Sequence, residues 1–256
     1  MRAGARRLPS CPRRRLARRA VVPIALFLAA AGLAFPSMAG GIVAAEYGDP
    51  TTRYPHGALG DPEEHASLAV RLADGRRLAA RFADTLVFED TAPRLADLDG
   101  DGRNEVVVVE SHERHGSRLA VWGLVEDRLV RRAATPFIGR RFRWLAPAGI
   151  ADLDGDGRPE LAYVETPHLG KILRIVRLDG DRLVPVAAAQ GFTNHRLGDP
   201  FIQGRVARCG GRPTILTASA DWTRILGAPL ADDRLLVRDF GPYRSPRSFD
   251  HPPGCD

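Results

Sequence analysis

From Ile42 onward the chain alternates short apolar segments with clusters of Gly, Pro and Asp, and no long apolar run follows the 3.6-residue period of a helix. The pattern predicts an all-β fold. The segments at 105–110 (Glu-Val-Val-Val-Val-Glu) and 160–165 (Glu-Leu-Ala-Tyr-Val-Glu) are apolar at consecutive positions and read as short buried strands. Aligned on them, the chain divides into units of strand, loop, strand, turn and hairpin. One unit comprises 93–98, 105–110, 118–125 and 128–133, and the next comprises 148–153, 160–165, 172–178 and 182–187. A third keeps the strand at 215–219 and a hairpin at 225–230 and 234–239. A partial unit at the start holds 42–46, 56–59 and a hairpin over 67–82, whose Asp74-Gly75 is a two-residue turn signal. A four-stranded sheet cannot bury both faces alone and must stack on its neighbours. The expected architecture is a small β-propeller or partial propeller of about four four-stranded antiparallel blades, at about 42–85, 93–133, 148–187 and 203–239. The first unit lacks its own first strand, so closure requires the tail at 241–256 to supply it. Four prolines in that tail argue against a regular strand, which leaves an open stack as the competing architecture.

The units share a second feature. Asp97-Leu98-Asp99-Gly100-Asp101-Gly102-Arg103-Asn104-Glu105 returns 55 residues later as Asp152-Leu153-Asp154-Gly155-Asp156-Gly157-Arg158-Pro159-Glu160. Carboxylates at alternate positions repel one another unless a cation lies between them, and a hard divalent ion accepts oxygen ligands alone. The spacing therefore points to two Ca2+ sites. Asp97, Asp99 and Asp101, with the carbonyl of Arg103 and the carboxylate of Glu105, form one set; Asp152, Asp154, Asp156, Arg158 and Glu160 form the other. An EF-hand is excluded, because position 12 is Val108 or Tyr163 and the flanks read as strands. Counting 54 residues on, the third unit carries Val206, Arg208, Gly210 and Thr214 in place of the acids, so its metal site is erased.

At these residues the sequence resembles the FG-GAP/VCBS-type repeats, the blades of secreted bacterial proteins and of integrin α-chain propellers. The family's Asp-x-Asp-x-Asp-Gly-x-x-Asp loop binds calcium between the first two strands of a blade. The resemblance implies a propeller-like fold and calcium loops, and it implies no reaction. This chain departs from the pattern by carrying glutamate in the ninth place.

Composition changes the picture mainly at the N-terminus. The formal charge is +6, but eight arginines and no acid precede residue 40, so the remainder carries +6 − 8 = −2. No nucleic-acid partner follows from the charge. The basic stretch leads into an uncharged apolar run over 20–35 and then Pro36-Ser37-Met38-Ala39, the three-part pattern of a signal peptide spanning 1–39, cut after Ala39. Cleavage after Ala45 is an alternative; an uncleaved inner-membrane signal anchor is another, and a membrane association is expected only in that case. Either way the chain is read as exported, to the periplasm or beyond. Cys11 precedes the apolar run, and the even pair left behind, Cys209 and Cys255, is expected to form a disulfide in an oxidising compartment.

A search for chemistry finds no Gly-x-Ser-x-Gly, phosphate loop or dinucleotide fingerprint. His112-Glu113-Arg114-His115 is not the zinc-protease pattern, and the acids that could form a glycosidase pair are nearly all taken up by the acidic loops or hairpin turns. His56, His115, Trp144, His168, His195 and Trp222 fall on connections that an up-and-down blade places opposite the acidic loops, and they are the candidate ligand face. The expectation is an exported calcium-binding repeat protein that acts as a binding module for a protein or glycan of the cell envelope and is not an enzyme. An exported glycan or phosphoester hydrolase and a purely structural envelope protein are the rival classes.

Overall fold

A computed structural model describes residues 40–256; the expected signal segment, the expected cut after Ala39 and Cys11 lie outside the described residues. Nearly all the regular structure is antiparallel β. Strands β1 (Ile42–Thr51), β2 (Glu64–Leu72), β3 (Arg77–Arg81), β4 (Leu86–Phe88), β5 (Arg94–Ala96), β6 (Glu105–His112), β7 (Gly116–Val125) and β8 (Arg128–Ala134) form one continuous sheet, in which β4 bridges β2 and β6. Strands β9 (Leu145–Ala151), β10 (Glu160–Glu165), β11 (Ile172–Asp179) and β12 (Arg182–Gln190) form the next, in the order 12-11-10-9. Strands β13 (Phe192–Thr193), β14 (Arg205–Cys209), β15 (Arg212–Ser219) and β16 (Arg224–Ala228) form the last sheet with β19 (Arg238–Pro242), while β17 (Leu230–Ala231) pairs β18 (Arg234–Leu235).

The apolar runs are explained by layers on both faces of each inner strand. Successive residues of a strand point to opposite faces, so Val106 and Val108 of β6 pack with Leu68, Val70, Phe88 and Trp122. Val107 and Val109 pack the other way, with Trp144, Leu161, Tyr163 and Val176. The scheme repeats on β10: Leu161 and Tyr163 face back, and Ala162 and Val164 face onward to Phe192, Ile215 and Ala228. Sheets thus stack in chain order. The outer face of the last sheet, with Leu216, Ala218 and Ile225, is covered by Tyr243 and Phe249 of the C-terminal tail.

Three expectations change. The segment 56–59 forms no strand but part of a loop between β1 and β2, because β1 runs on to Thr51 and pairs β2 along its length. The third unit keeps no loop in place of the erased site: β14 and β15 pair up to Cys209 and Arg212, and Gly210 and Gly211 make the turn with φ of 55° and 81°, the left-handed pair a two-residue hairpin needs. The tail supplies no strand to the first unit; it folds back on the last sheet, passes through a short helical turn at Pro246–Phe249 and is tied by a Cys209–Cys255 disulfide. Among the described residues no strand ladder joins the last sheet to β1. The two ends meet only through loops, where the Gly198 N–H donates to the Ala58 carbonyl at 3.0 Å. Among the described residues, too, no helix is long and apolar enough to cross a membrane.

Candidate metal loops and the opposite face

Each acidic loop joins a first strand to the double-sided strand after it, β5 to β6 and β9 to β10, and each is folded by its own carboxylates. Asp97 accepts the Gly100 and Gly102 N–H groups at 2.8 and 2.9 Å, and Asp101 accepts Arg103 N–H at 2.8 Å. The second copy repeats the set, Asp152 accepting Gly155 and Gly157 at 2.7 and 3.0 Å and Asp156 accepting Arg158 at 2.8 Å. The two donors of each Asp97 or Asp152 pair are glycines with φ between 77° and 88°, a range that L side chains avoid. This folding brings one oxygen each of Asp97, Asp99 and Asp101 within 4.8 Å of one another, and likewise Asp152, Asp154 and Glu160. Three convergent hard donors on a mostly exposed loop fit a divalent cation of the calcium type.

The ninth-place glutamates are placed differently from the aspartates. Glu105 and Glu160 are 3% and 0% exposed, and burial raises both carboxyls above the ordinary range. One oxygen of each accepts the main-chain N–H of the loop's second residue, Leu98 at 3.0 Å and Leu153 at 2.8 Å. The other oxygen takes a guanidinium, from Arg132 at 2.6 Å in the first copy and from Arg177 Nε at 2.7 Å in the second. The same arginines also reach the third-place acids, Asp99 at 2.8 Å and Asp154.

On the other side of the sheets, three of the six candidate ligand residues are in contact, Trp144, His168 and His195. The His168 and His195 rings share a 2.9 Å hydrogen bond, and Trp144 lies against both, its centroid 6.3 Å and 4.9 Å away. His195 Nε2 donates to the Asp199 carbonyl, so its Nδ1 is the acceptor and His168 Nε2 the donor. Burial, and then His195, pushes His168 down to about 4, so the pair is neutral near pH 7. His56 stacks on Phe142 at 5.0 Å, with Tyr54 and the Arg141 guanidinium completing the stack. Trp222 adjoins through Arg196, whose guanidinium lies 4.5 Å over its ring. His115 sits apart from the His168 pair, beside His112 and Phe137. Trp144 and His195 are 2% and 1% exposed; the accessible groups are the rims of His56, His168 and Trp222 with Arg141 and Arg196.

The sequence reading missed a buried acid cluster beneath this face. Glu89, fully buried, shares a 2.5 Å hydrogen bond with His56 Nδ1 and accepts the Ser111 hydroxyl, which in turn meets Ser117 at 2.6 Å. Glu64 lies beside it, 2% exposed, and burial followed by repulsion from Glu89 pushes its carboxyl up to about 10. Asp90 holds Arg94. The available signal was Val87-Phe88-Glu89-Asp90, acids that continue an apolar strand without a turn residue.

A family model described as an FG-GAP-like repeat matches residues 97–163, from the first acidic loop through the second and into β10. A search among curated proteins returns no match.

Proposed function

We propose that the chain is an exported, calcium-stabilised β-repeat protein that works as an interaction module. The observation that carries this reading is the pair of acidic loops, each with three carboxylate oxygens gathered within 4.8 Å, inside a segment matching an FG-GAP-like repeat. Asp97, Asp99 and Asp101 would hold one ion and Asp152, Asp154 and Glu160 the other, with Asp156 beside the second set and the carbonyls of Arg103 and Arg158 completing the sets. A bound Ca2+ supplies charge neutralisation here and no chemistry on a substrate. Export is supported by the signal-like pattern of the first 39 residues and by the disulfide.

The binding surface in this reading is the face opposite the acidic loops. Phe142, Thr166, Lys171 and Trp222 all have positive φ there, between 47° and 62°. Such strain costs on the order of 1–3 kcal/mol per residue and persists where the surroundings over-determine it, characteristically at binding sites. Arg141 and Arg196 stand on aromatic rings and, among the described residues, form no ion pair with a carboxylate, which suits them to an envelope protein or glycan bearing acidic groups. In pull-downs from envelope extracts, Arg196→Ala and Trp222→Ala are expected to abolish recovery of the partner while Asp154→Ala retains it below its melting temperature. Equal recovery by all three variants would remove this face from consideration.

The buried Glu64, Glu89 and His56 are the specific observation in favour of a hydrolase. Two carboxyls that are 2% and 0% exposed present no oxygen to a glycan chain, so the interaction reading stands ahead of it.

A further inference from the structure

We infer that Arg132 and Arg177 are the resident counter-ions of the two acidic loops, held in place by the ninth-place glutamates, and that each limits the affinity of its loop for a divalent cation; the inference rests on the calcium reading of these loops. Glu105 and Glu160 each anchor an arginine and a main-chain amide, and Glu160 also keeps an oxygen within 4.8 Å of Asp152 and Asp154.

The two guanidinium groups reach the same place from different positions. In the β10–β11 ladder Glu160 faces Arg177 directly. In the β6–β7 ladder Val106 faces Trp122, so the residue facing Glu105 is Gly123. The missing arginine comes instead from the neighbouring strand. Val121 pairs Ala133 while Trp122 pairs Arg131, which leaves Arg132 as the extra residue of a bulge in β8. The second sheet has the same bulge, between the Ile175–Ala187 and Val176–Pro185 pairs, and its extra residue is Val186. The positions are therefore exchanged: glycine facing the glutamate with arginine in the bulge, or arginine facing the glutamate with valine in the bulge. Gly123 shows that the exchange is steric, because a Cβ there would lie 2.7 Å from Arg132 Cδ. A bulge re-aims a side chain that would otherwise follow the pleat, and here it aims Arg132 into the acidic loop.

The last sheet loses both partners together. Thr214 stands where Glu105 and Glu160 stand, with Ala207 opposite as Ala96 and Ala151 are opposite the glutamates. Strand β16 ends at Ala228, before any arginine could face it, and Pro229 follows. Glutamate and arginine are thus present as a pair in both acidic loops and absent as a pair at the tight hairpin that takes their place in the last sheet.

Two consequences follow for the loops. Without metal, a tethered guanidinium already lies between Glu105 and Asp99, or Glu160 and Asp154, and offsets part of their repulsion, so the loop keeps its shape. With metal, Asp99 or Asp154 is shared between two cations a few ångströms apart, and their repulsion weakens binding.

The test is calorimetric titration of Ca2+, with melting curves in chelator, on the whole exported chain. Arg132→Val is expected to lower the metal-free melting temperature and to tighten Ca2+ binding at one of two sites roughly tenfold. Arg132→Gln, which removes the charge and is shorter but retains an N–H donor, is expected to shift affinity the same way with a smaller loss of stability. Adding Gly123→Arg to Arg132→Val recreates the arrangement of the second sheet in the first and is expected to return both quantities towards the wild-type values. Affinity unchanged or weakened in Arg132→Val and Arg132→Gln would overturn the inference while leaving the calcium reading intact. Binding by these variants but not by the wild type would support the inference and overturn the calcium reading for the native chain. No binding by any of them would overturn both.

Discussion

Trp144→Ala is expected to destabilise the fold by about 3–5 kcal/mol, the range for removing a fully enclosed large aromatic side chain. The ring is 2% exposed and sits in the layer between the β5–β8 strands and the β9–β12 sheet, among Val109, Leu119, Leu145 and Leu161. Its Nε1–H donates to the Glu89 carbonyl at 2.9 Å and ties the connection before β9 to the strand segment beneath the opposite face. Truncation opens a cavity and leaves that buried carbonyl unpaired, and the two costs add. Chemical denaturation followed by Trp122 and Trp222 fluorescence measures the loss. A change within ~0.5 kcal/mol, the usual range for surface sites, would show that Trp144 does not hold the layers together.

Loss of the disulfide is expected to be the next largest effect. Cys209 and Cys255 are 46 residues apart, and closing a loop of that length restricts the unfolded chain by roughly 4 kcal/mol in the entropic model, an upper figure. The cross-link has a particular task here. The tail that it fastens covers Leu216, Ala218 and Ile225 with Tyr243 and Phe249, and without it the outer face of the last sheet is exposed. Terminal repeats of a stack need a cap for this reason. Cys255→Ser, or reduction of the wild type, is expected to lower the melting temperature and to free the tail for proteolysis after Arg244 or Arg247 before the sheets are cut. Two alkylatable thiols in the folded, non-reduced protein would contradict the assignment.

Much of the fold was legible because its signals are local. The apolar runs of β6 and β10, the glycines of the acidic loops and the turn at Asp74-Gly75 each specify a short piece of backbone. What the sequence hid is set by register and layering. That Arg132 is the extra residue of a bulge, or that Gly123 faces Glu105, depends on strand pairing that no local pattern encodes. The same holds for Glu64 and Glu89, whose approach requires β2 and β4 to be brought side by side. The third unit departs from its expected form for a related reason: residues 208–213 align with the acidic loops by spacing, whereas they form a tight hairpin with the backbone of the acidic loop itself removed. The candidate ligand face was legible as a set of positions, since alternate connections must fall on one side of an up-and-down sheet. Which of its members are accessible was not, because the burial of Trp144 and His195 comes from the neighbouring sheets.

The account stands most directly on calcium and the acidic loops. Melting of the full chain, in excess chelator and then in calcium at about 100 times its dissociation constant, is expected to show a gain of about 2.7 kcal/mol per site acting alone. For a domain of this size that corresponds to a rise of roughly 5–10 °C. Asp99→Ala and Asp154→Ala should each remove part of the rise, and the double substitution should remove it all. Superimposable curves with and without calcium, with wild-type stability retained in the double variant, would contradict the account.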